Sequence, residues 1–265
     1  MPASQTCTGR FDYANPDPKS ISPIDLAVHL SRINRFLGGT SWCEWSVAQH
    51  CLLASIMVEE VNGADVETPE GRDLALDALL HDATEAYYGD MPAPLQLAMR
   101  QEAMANPGNG VSTYEVLYRR GEAVVAAWAG RTPADFNTDL IKHVDLRMLA
   151  TERHLFIAGP WIPDWIDLPD AYVTHHDLQA PADLVIASSI VKPLDDGAPQ
   201  RILANRNALM WMPMQPHEAA GQWFARLHQL RPDLTEAYGR QAMPWLRWPK
   251  WAADVVEARQ RAGFR

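Results

Sequence analysis

The chain has 265 residues and a formal net charge of −10, with 47% hydrophobic and 21% charged residues. These values are typical of a globular protein and exclude a disordered or fibrous chain. The acidic balance argues against a nucleic-acid polymer as partner, because such surfaces need clustered Lys and Arg. No stretch approaches the roughly 20 apolar residues that span a bilayer, and the first residues lack an apolar signal segment. We therefore expect a cytoplasmic protein with no membrane partner.

The first half of the chain predicts an extended arm followed by three helices. Residues 1–20 are rich in Pro, Asn and Asp, which indicates the arm. Ser22 followed by Pro23 is a helix-start signal, and apolar residues at helical spacing continue towards Phe36. A second helix is predicted over 47–61 and a third over 72–88, where Gly and Pro residues stop it.

The second half also has a helical pattern. Further helices are predicted over 95–105, 112–129 and 135–156, near 181–191, and from Pro216 onwards. Because no alternating strand pattern is strong enough to assign, the predicted fold is all-α. We predict one domain over residues 1–230 and a Trp- and Arg-rich C-terminal extension over 231–265 whose role the sequence does not indicate.

Four polar side chains lie on otherwise apolar helical stretches. They are His50, His81, Asp82 and Asp145, and they come from three predicted helices. Taken singly, each His has an ordinary explanation as a hydrogen-bonded core residue. Buried carboxylates, however, are costly unless they are paired or bind a metal. Neighbours on a helix diverge by about 100°, so His81 and Asp82 can reach one ion only if it lies at a junction between helices.

Two further acids accompany this set. Glu85 follows His81 by four residues and Asp82 by three, so a continuous helix would place it on their face. An acid beside the ligands can position or deprotonate a nucleophilic water. Asp90 lies in the turn just beyond, where a catalytic acid and an ordinary helix-ending turn residue are equally good interpretations.

The ordered set of His50, the His81–Asp82 pair and Asp145 resembles the HD-domain metal-dependent phosphohydrolases. The neighbouring segments RINRF (32–36), WSVAQH (45–50), LLHDATEAYYGDMPAPL (79–95) and IKHVDLRMLATE (141–152) are similar to the 5′-deoxynucleotidase branch. That branch has phage-encoded relatives, some of which are deoxyadenosine triphosphate triphosphohydrolases. The resemblance covers roughly residues 9–230.

The resemblance implies an all-α HD-domain bundle in which the four side chains hold one divalent cation. Glu85 and Asp90 would take catalytic roles, and Arg35 and Phe36 would contact the nucleotide. The family usually has Trp in place of Phe36, so base or sugar preference can differ here. Lys142 is a further candidate for substrate binding, with a surface lysine as the alternative. Two His and two Asp are compatible with Mn, Co, Fe, Zn or Mg.

Other branches fit less well. Dinuclear HD enzymes require extra histidines between the HD pair and the last aspartate, and only His143 lies there. The dGTPase-like triphosphohydrolases follow HD with a Gly-His-Pro-type continuation, whereas this chain reads HDATEAYYGD. The sequence therefore favours a single metal ion.

The leading functional hypothesis is a 5′-deoxynucleotidase that releases phosphate from deoxynucleoside monophosphates. The first alternative is a deoxynucleoside triphosphate triphosphohydrolase that releases tripolyphosphate, and the second is a catalytically silent nucleotide-binding protein. The Trp residues of the C-terminal part favour core packing or contact with another copy of the chain, because large aromatics dominate cores and interfaces. We therefore expect a homo-oligomer, a dimer or larger.

Overall fold

The computed structural model describes residues 2–41, 43–60, 62–105, 112–157, 168–172 and 211–238. These ranges are mostly helical, as predicted, and contain nine α-helices. The helices are α1 (Pro23–Leu30), α2 (Val47–Glu60), α3 (Pro69–Leu80), α4 (Glu85–Tyr88), α5 (Ala93–Ala105), α6 (Thr113–Ala129), α7 (Pro133–Phe136), α8 (Asp139–Phe156) and α9 (Pro216–Leu230).

The N-terminal arm contains a small antiparallel hairpin, which the all-α prediction missed. Strand β1 (Ala3–Gln5) pairs with β2 (Arg10–Asp12), and strands of three residues are too short to give an alternating pattern. The arm is also part of the core, because the Phe11 side chain is fully buried. Its ring stacks on that of Tyr87 with the centroids 4.0 Å apart. The arm thereby packs against α4.

Helix α1 begins as predicted and ends earlier. The Ser22 side chain accepts a hydrogen bond from the Ile24 amide, the usual N-cap arrangement. The predicted continuation to Phe36 is wrong, because the chain leaves the helix after Leu30. Asn34 instead forms an isolated bridge with Ser46, and Arg35–Gly38 then form a short 3-10 helix.

The third predicted helix is two helices. Between α3 and α4, residues 81–84 form a tight turn in which the Ala83 amide bonds the Leu80 carbonyl at 2.9 Å. The Glu85 amide bonds the Asp82 carbonyl at 3.0 Å. Prediction of one continuous helix over 72–88 was therefore wrong, and the His81–Asp82 pair lies at a junction between helices. The predicted helix over 135–156 is likewise divided into α7 and α8, with Thr138 capping α8.

Helix α2 is central in the core. It packs against α3, α8 and α9, and α9 also packs against α1 and α3. Trp211 and Trp223 are buried in this core, which confirms their predicted packing role. The predicted helix near 181–191 and residues 239–265 lie outside the described residues. Within the described ranges, no helix has the length and apolar character needed to cross a bilayer.

Candidate metal centre

Helix α2, helix α8 and the turn after α3 bring the four predicted ligands together. His50 comes from α2 and Asp145 from α8, while His81 is the C-cap of α3 and Asp82 follows it. The His50 side chain is fully buried and the Asp145 side chain is 39% exposed. The group therefore has a protein-facing side and a solvent-facing side, and the predicted convergence is confirmed.

The donor atoms lie at distances that suit a shared cation. His50 Nε2 is 3.2 Å from Asp145 Oδ1 and 3.6 Å from Asp82 Oδ2. His81 Nε2 is 3.3 Å from Asp82 Oδ2 and 3.8 Å from Asp145 Oδ1. Ligand atoms about 2.1 Å from one ion stand about 3.0–3.5 Å from each other in octahedral or tetrahedral sites. The four side chains could therefore hold one metal ion.

The two imidazoles present lone pairs to the same point. His81 Nδ1 lies 2.8 Å from the Ala78 carbonyl and His50 Nδ1 lies 2.6 Å from a carboxylate oxygen of Glu152. Both partners are acceptors, so both Nδ1 atoms carry the proton. The two Nε2 atoms face each other at 3.2 Å. Two facing lone pairs beside two carboxylate oxygens repel one another unless positive charge lies among them, so the donor set fits a cation.

The pKa shifts follow the same electrostatics. Burial alone would lower the pKa of His81, but the Asp82 and Asp145 carboxylates outweigh burial and raise it well above its usual value. Burial and Arg35 lower the pKa of His50, yet Glu152 and Asp145 raise it overall. The site therefore favours positive charge at the imidazoles, which a bound metal would supply in exchange for protons.

Glu85 lies beside this group and outside it. Its side chain is buried, and its Oε2 atom makes no hydrogen bond to any described residue. Burial raises its pKa well above the usual value, and the neighbouring charges of Asp82 and Asp90 raise it further. A carboxyl group with a raised pKa and a free oxygen is suited to accept a proton.

Asp90 is half-buried in the segment after α4. Burial raises its pKa, while the positive charge of Arg35 opposes the shift and Asp82 supports it. Those influences place Asp90 in the same electrostatic environment as Glu85. Its catalytic role stays a prediction.

Arg35 reaches into the site from the short 3-10 helix Arg35–Gly38, which precedes α2. Its Nη1 lies 3.4 Å from Asp82 Oδ2 and its Nε donates to Glu152 Oε2 at 3.0 Å. Phe36 adopts φ 58° and ψ 27°, a left-handed conformation that is rare for a side chain of this size. The Arg35 guanidinium carbon lies 5.7 Å from the centroid of its ring. Backbone strain of this kind clusters at functional positions, and the predicted contact of Arg35 and Phe36 with the substrate stays a prediction.

Lys142 is exposed on α8, about one turn before Asp145. Its predicted contact with substrate stays a prediction.

Glu152 is a site residue that sequence reasoning missed. It is fully buried on α8 and contacts both His50 and Arg35. The available signal was its spacing, because a residue seven positions after Asp145 returns to the same face two turns later. The IKHVDLRMLATE segment ends at this residue.

A second group of metal-binding residue types lies near the hairpin, formed by Cys7, Asp25 and His29. Both carboxylate oxygens of Asp25 already accept hydrogen bonds from Thr8, at 2.9 and 2.7 Å. Cys7 Sγ lies 3.6 Å from His29 Nε2, as in a weak thiol hydrogen bond. The opposite nitrogen of His29 lies 2.9 Å from the Ala86 carbonyl. This group joins the hairpin, α1 and α4.

Comparison with known proteins finds relatives without an assigned activity. The chain is 36% identical over 143 residues to the uncharacterized protein YfdR of Escherichia coli K12, which is 54% of this chain and 64% of YfdR. It is 35% identical over 91 residues to an uncharacterized protein of Rhodobacter capsulatus, covering 34% of this chain and 44% of that protein. The chain thus spans less than two thirds of the curated relatives that it matches. No family model matches it.

Proposed function

We propose that the protein is an HD-domain phosphohydrolase that uses one divalent metal ion to remove phosphate from deoxynucleoside 5′-monophosphates. The observation that carries the proposal is the four-donor cluster with Arg35 beside it. Asp82 is a member of that cluster and lies 3.4 Å from the Arg35 guanidinium. A cation and an arginine at such close range suit an oxygen-rich dianion such as a phosphate monoester.

The order of the residues supports the same assignment. His50, the His81–Asp82 pair and Asp145 occur in the order of the HD family, in a mostly helical fold. Their donor atoms all lie within 4.8 Å of one another. Mn, Co, Fe, Zn and Mg all accept two imidazoles with two carboxylates, so the donor set leaves the choice of ion open.

In this mechanism each side chain has a defined task. A divalent cation held by the four ligands would supply the positive charge that polarises a phosphoryl oxygen and activates water. Arg35 binds the phosphate and offsets its negative charge. Glu85 orients the attacking water and accepts its proton at Oε2, the oxygen without a hydrogen-bond partner. Asp90, with its raised pKa, donates a proton to the leaving 5′-oxygen.

The direct test is product analysis. The protein is stripped with chelator, reloaded with Mn, Co, Zn, Fe or Mg, and incubated with panels of dNMPs and dNTPs. We expect orthophosphate from a monophosphate such as dAMP. The Asp82→Asn variant, prepared in parallel, is the control for a contaminating phosphatase and should release none.

Two outcomes would replace this proposal. Tripolyphosphate from dATP would favour a triphosphohydrolase that places the α-phosphate at the same metal. No product with any of the five metals, together with measurable nucleotide binding, would favour a silent nucleotide-binding protein.

A further inference from the structure

Glu152 is a buried carboxylate to which the mechanism above gives no task. Its Oε1 accepts hydrogen bonds from His50 Nδ1 at 2.6 Å and from Trp45 Nε1 at 2.8 Å. Its Oε2 accepts from Arg35 Nε at 3.0 Å. Each oxygen therefore serves a different part of the site, with His50 on the metal side and Arg35 on the phosphate side.

The carboxylate itself is firmly held. The Trp45 side chain is fully buried, and its ring lies against Phe156, with the centroids 4.3 Å apart. Phe156 belongs to the same helix as Glu152, which fixes the helix relative to the indole. A carboxylate fixed in this way can hold its other partners in a constant geometry.

Arg35 is restrained at two of its three guanidinium nitrogens. Nε is committed to Glu152 and Nη1 to Asp82. Asp82 is also one of the four candidate metal ligands. The plane of the guanidinium group is therefore set by two carboxylates, that of Glu152 outside the ligand set and that of Asp82 within it. Nη2 makes no hydrogen bond to any other described residue and is the nitrogen free for an anion.

We propose that Glu152 is a positioning residue which sets the position of Arg35 relative to the candidate metal ligand His50. Because its two oxygens hold His50 and Arg35, a cation held by the four ligands and the Arg35 guanidinium would act on the same phosphoryl group. The inference rests on the proposed function, since it assumes that the site binds a phosphate. Beyond that function, we infer that phosphate affinity depends on Glu152, although Glu152 does not itself contact the phosphate.

In a simpler role, Glu152 would form a buried ion pair with Arg35 that only stabilises the fold. The two roles predict different energetic coupling between substitutions of Glu152 and Arg35. If Glu152 acts on phosphate through Arg35, its effect on phosphate binding disappears once Arg35 is replaced. If it only stabilises the fold, the effects of the two substitutions add.

The test uses the full chain, Mn²⁺ and inorganic phosphate, with binding measured by calorimetry. Glu152→Gln keeps the size of the side chain, and its amide oxygen can still accept from His50. Its NH₂ group would face the N–H of Arg35, and two donors cannot pair. We expect Mn²⁺ affinity to fall about 10-fold, because a neutral amide oxygen makes the His50 imidazole a less basic ligand than the carboxylate does. Phosphate affinity at saturating Mn²⁺ should fall at least about 10-fold, because a bond to a charged group is lost.

The double substitution provides the decisive comparison. In an Arg35→Met background, adding Glu152→Gln should leave phosphate affinity unchanged within about 2-fold, while the loss of Mn²⁺ affinity persists. With a nucleotide substrate, Glu152→Gln should raise KM more than it lowers kcat. Asp139→Asn is the matched control, an exposed acid in the first turn of the same helix, and should change neither affinity.

The proposal is overturned if Glu152→Gln lowers phosphate affinity equally in both backgrounds, or if folded Glu152→Gln binds both ligands as the wild type does. Should Glu152→Gln not fold, Trp45→Phe removes one donor from Oε1 and leaves His50 and Arg35 in place. We expect Trp45→Phe to weaken both ligands about 3- to 10-fold, and normal binding of both would overturn the proposal.

These measurements do not depend on turnover. A coupled loss of binding in a protein that hydrolyses no nucleotide would reject the proposed function and keep the role of Glu152. If the wild type hydrolyses dAMP and Glu152→Gln binds Mn²⁺ and phosphate as tightly as the wild type does, the proposed function is kept and the role of Glu152 is rejected.

Discussion

The contacts of each side chain distinguish the candidate metal ligands from the candidate acid–base groups. Asp82 Oδ2 lies within 3.6 Å of the Nε2 atoms of both His50 and His81, so it could share a cation with them. Glu85 lies outside this contact set, and its Oε2 is without a described partner. The two acids are three residues apart and should respond differently to substitution.

Asp82→Ala is expected to lose both metal and activity. Removing a ligand should weaken Mn²⁺ binding by more than the roughly 10–100-fold that loss of an outer partner costs. Glu85→Ala should keep the metal and lower kcat by about 10²- to 10⁴-fold, because only proton transfer is lost. Metal content and initial rates check both variants, and normal turnover by Glu85→Ala would remove its catalytic role.

The buried Glu85 carboxyl also predicts a dependence of stability on pH. Its pKa is raised in the folded state above the usual value of 4.5. The contribution of Glu85 to the free energy of unfolding is thus most favourable below about pH 4.5, and it is lost as the pH rises through the pKa of the folded state. In chelator at pH 7, Glu85→Gln should therefore be more stable than the wild type, and the gain should vanish near pH 4. Thermal unfolding of both proteins across this range checks it, and a gain that grows towards acid pH would contradict it.

At the scale of elements, an ion pair anchors α3 to the link between α6 and α7. Arg131 donates to both oxygens of Asp77, at 2.7 and 2.5 Å, and Asp77 is buried. The His81–Asp82 pair directly follows the end of α3, so this anchor also helps to fix the position of the two candidate ligands.

Arg131→Met should destabilise the fold by about 3 kcal/mol, because it leaves the Asp77 charge buried and unpaired. The matched control is Arg119→Met, which breaks an ion pair with Glu115 on α6. The Arg119 side chain is 69% exposed, so the loss should stay below about 1 kcal/mol. Denaturant unfolding measures both, and equal losses would show that burial of the pair is unimportant.

Helices α6 and α4 approach each other closely at Gly121. A Cβ atom at this position would lie 2.3 Å from Tyr88 Cε2 and 3.1 Å from Thr84 Cγ2. Glycine therefore allows α6 to support the short helix that carries Glu85.

Gly121→Ala should destabilise the protein, although alanine favours helix by about 1 kcal/mol. Displacing the Tyr88 ring costs about 1–3 kcal/mol, and moving α4 should also lower kcat. Ala123→Gly, at an exposed position of the same helix, should cost about 1 kcal/mol by propensity alone and leave kcat unchanged. Denaturant unfolding curves and initial rates of hydrolysis test this prediction. A Gly121→Ala variant that is stabilised and fully active would mean that the contact between Gly121 and Tyr88 is not tight.

At the scale of the whole molecule, periodicity predicted most helices well. Ser22 and Pro23 marked the start of α1, and Pro216 marked that of α9, because capping chemistry is local. The break at residues 81–84 was missed because no Gly or Pro interrupts the apolar pattern there. The hairpin was missed because its strands have three residues each.

The four residues that could hold a metal ion were predictable because buried acids and imidazoles contrast with their apolar neighbours. The contacts that support these residues could not be predicted, because Glu152 and Arg35 are 117 positions apart and only the fold brings them together. The left-handed backbone of Phe36 had no sequence signal either, because a positive φ is expected of glycine rather than of an aromatic residue.

The shared metal site is tested most directly by a crystal structure of the full chain, grown with Mn²⁺ and measured at the manganese absorption edge. We expect one anomalous peak per chain, about 2.0–2.3 Å from donor atoms of all four side chains, His50, His81, Asp82 and Asp145. A structure with no peak among these residues, or with the ion bound only at Cys7 and His29, would contradict it.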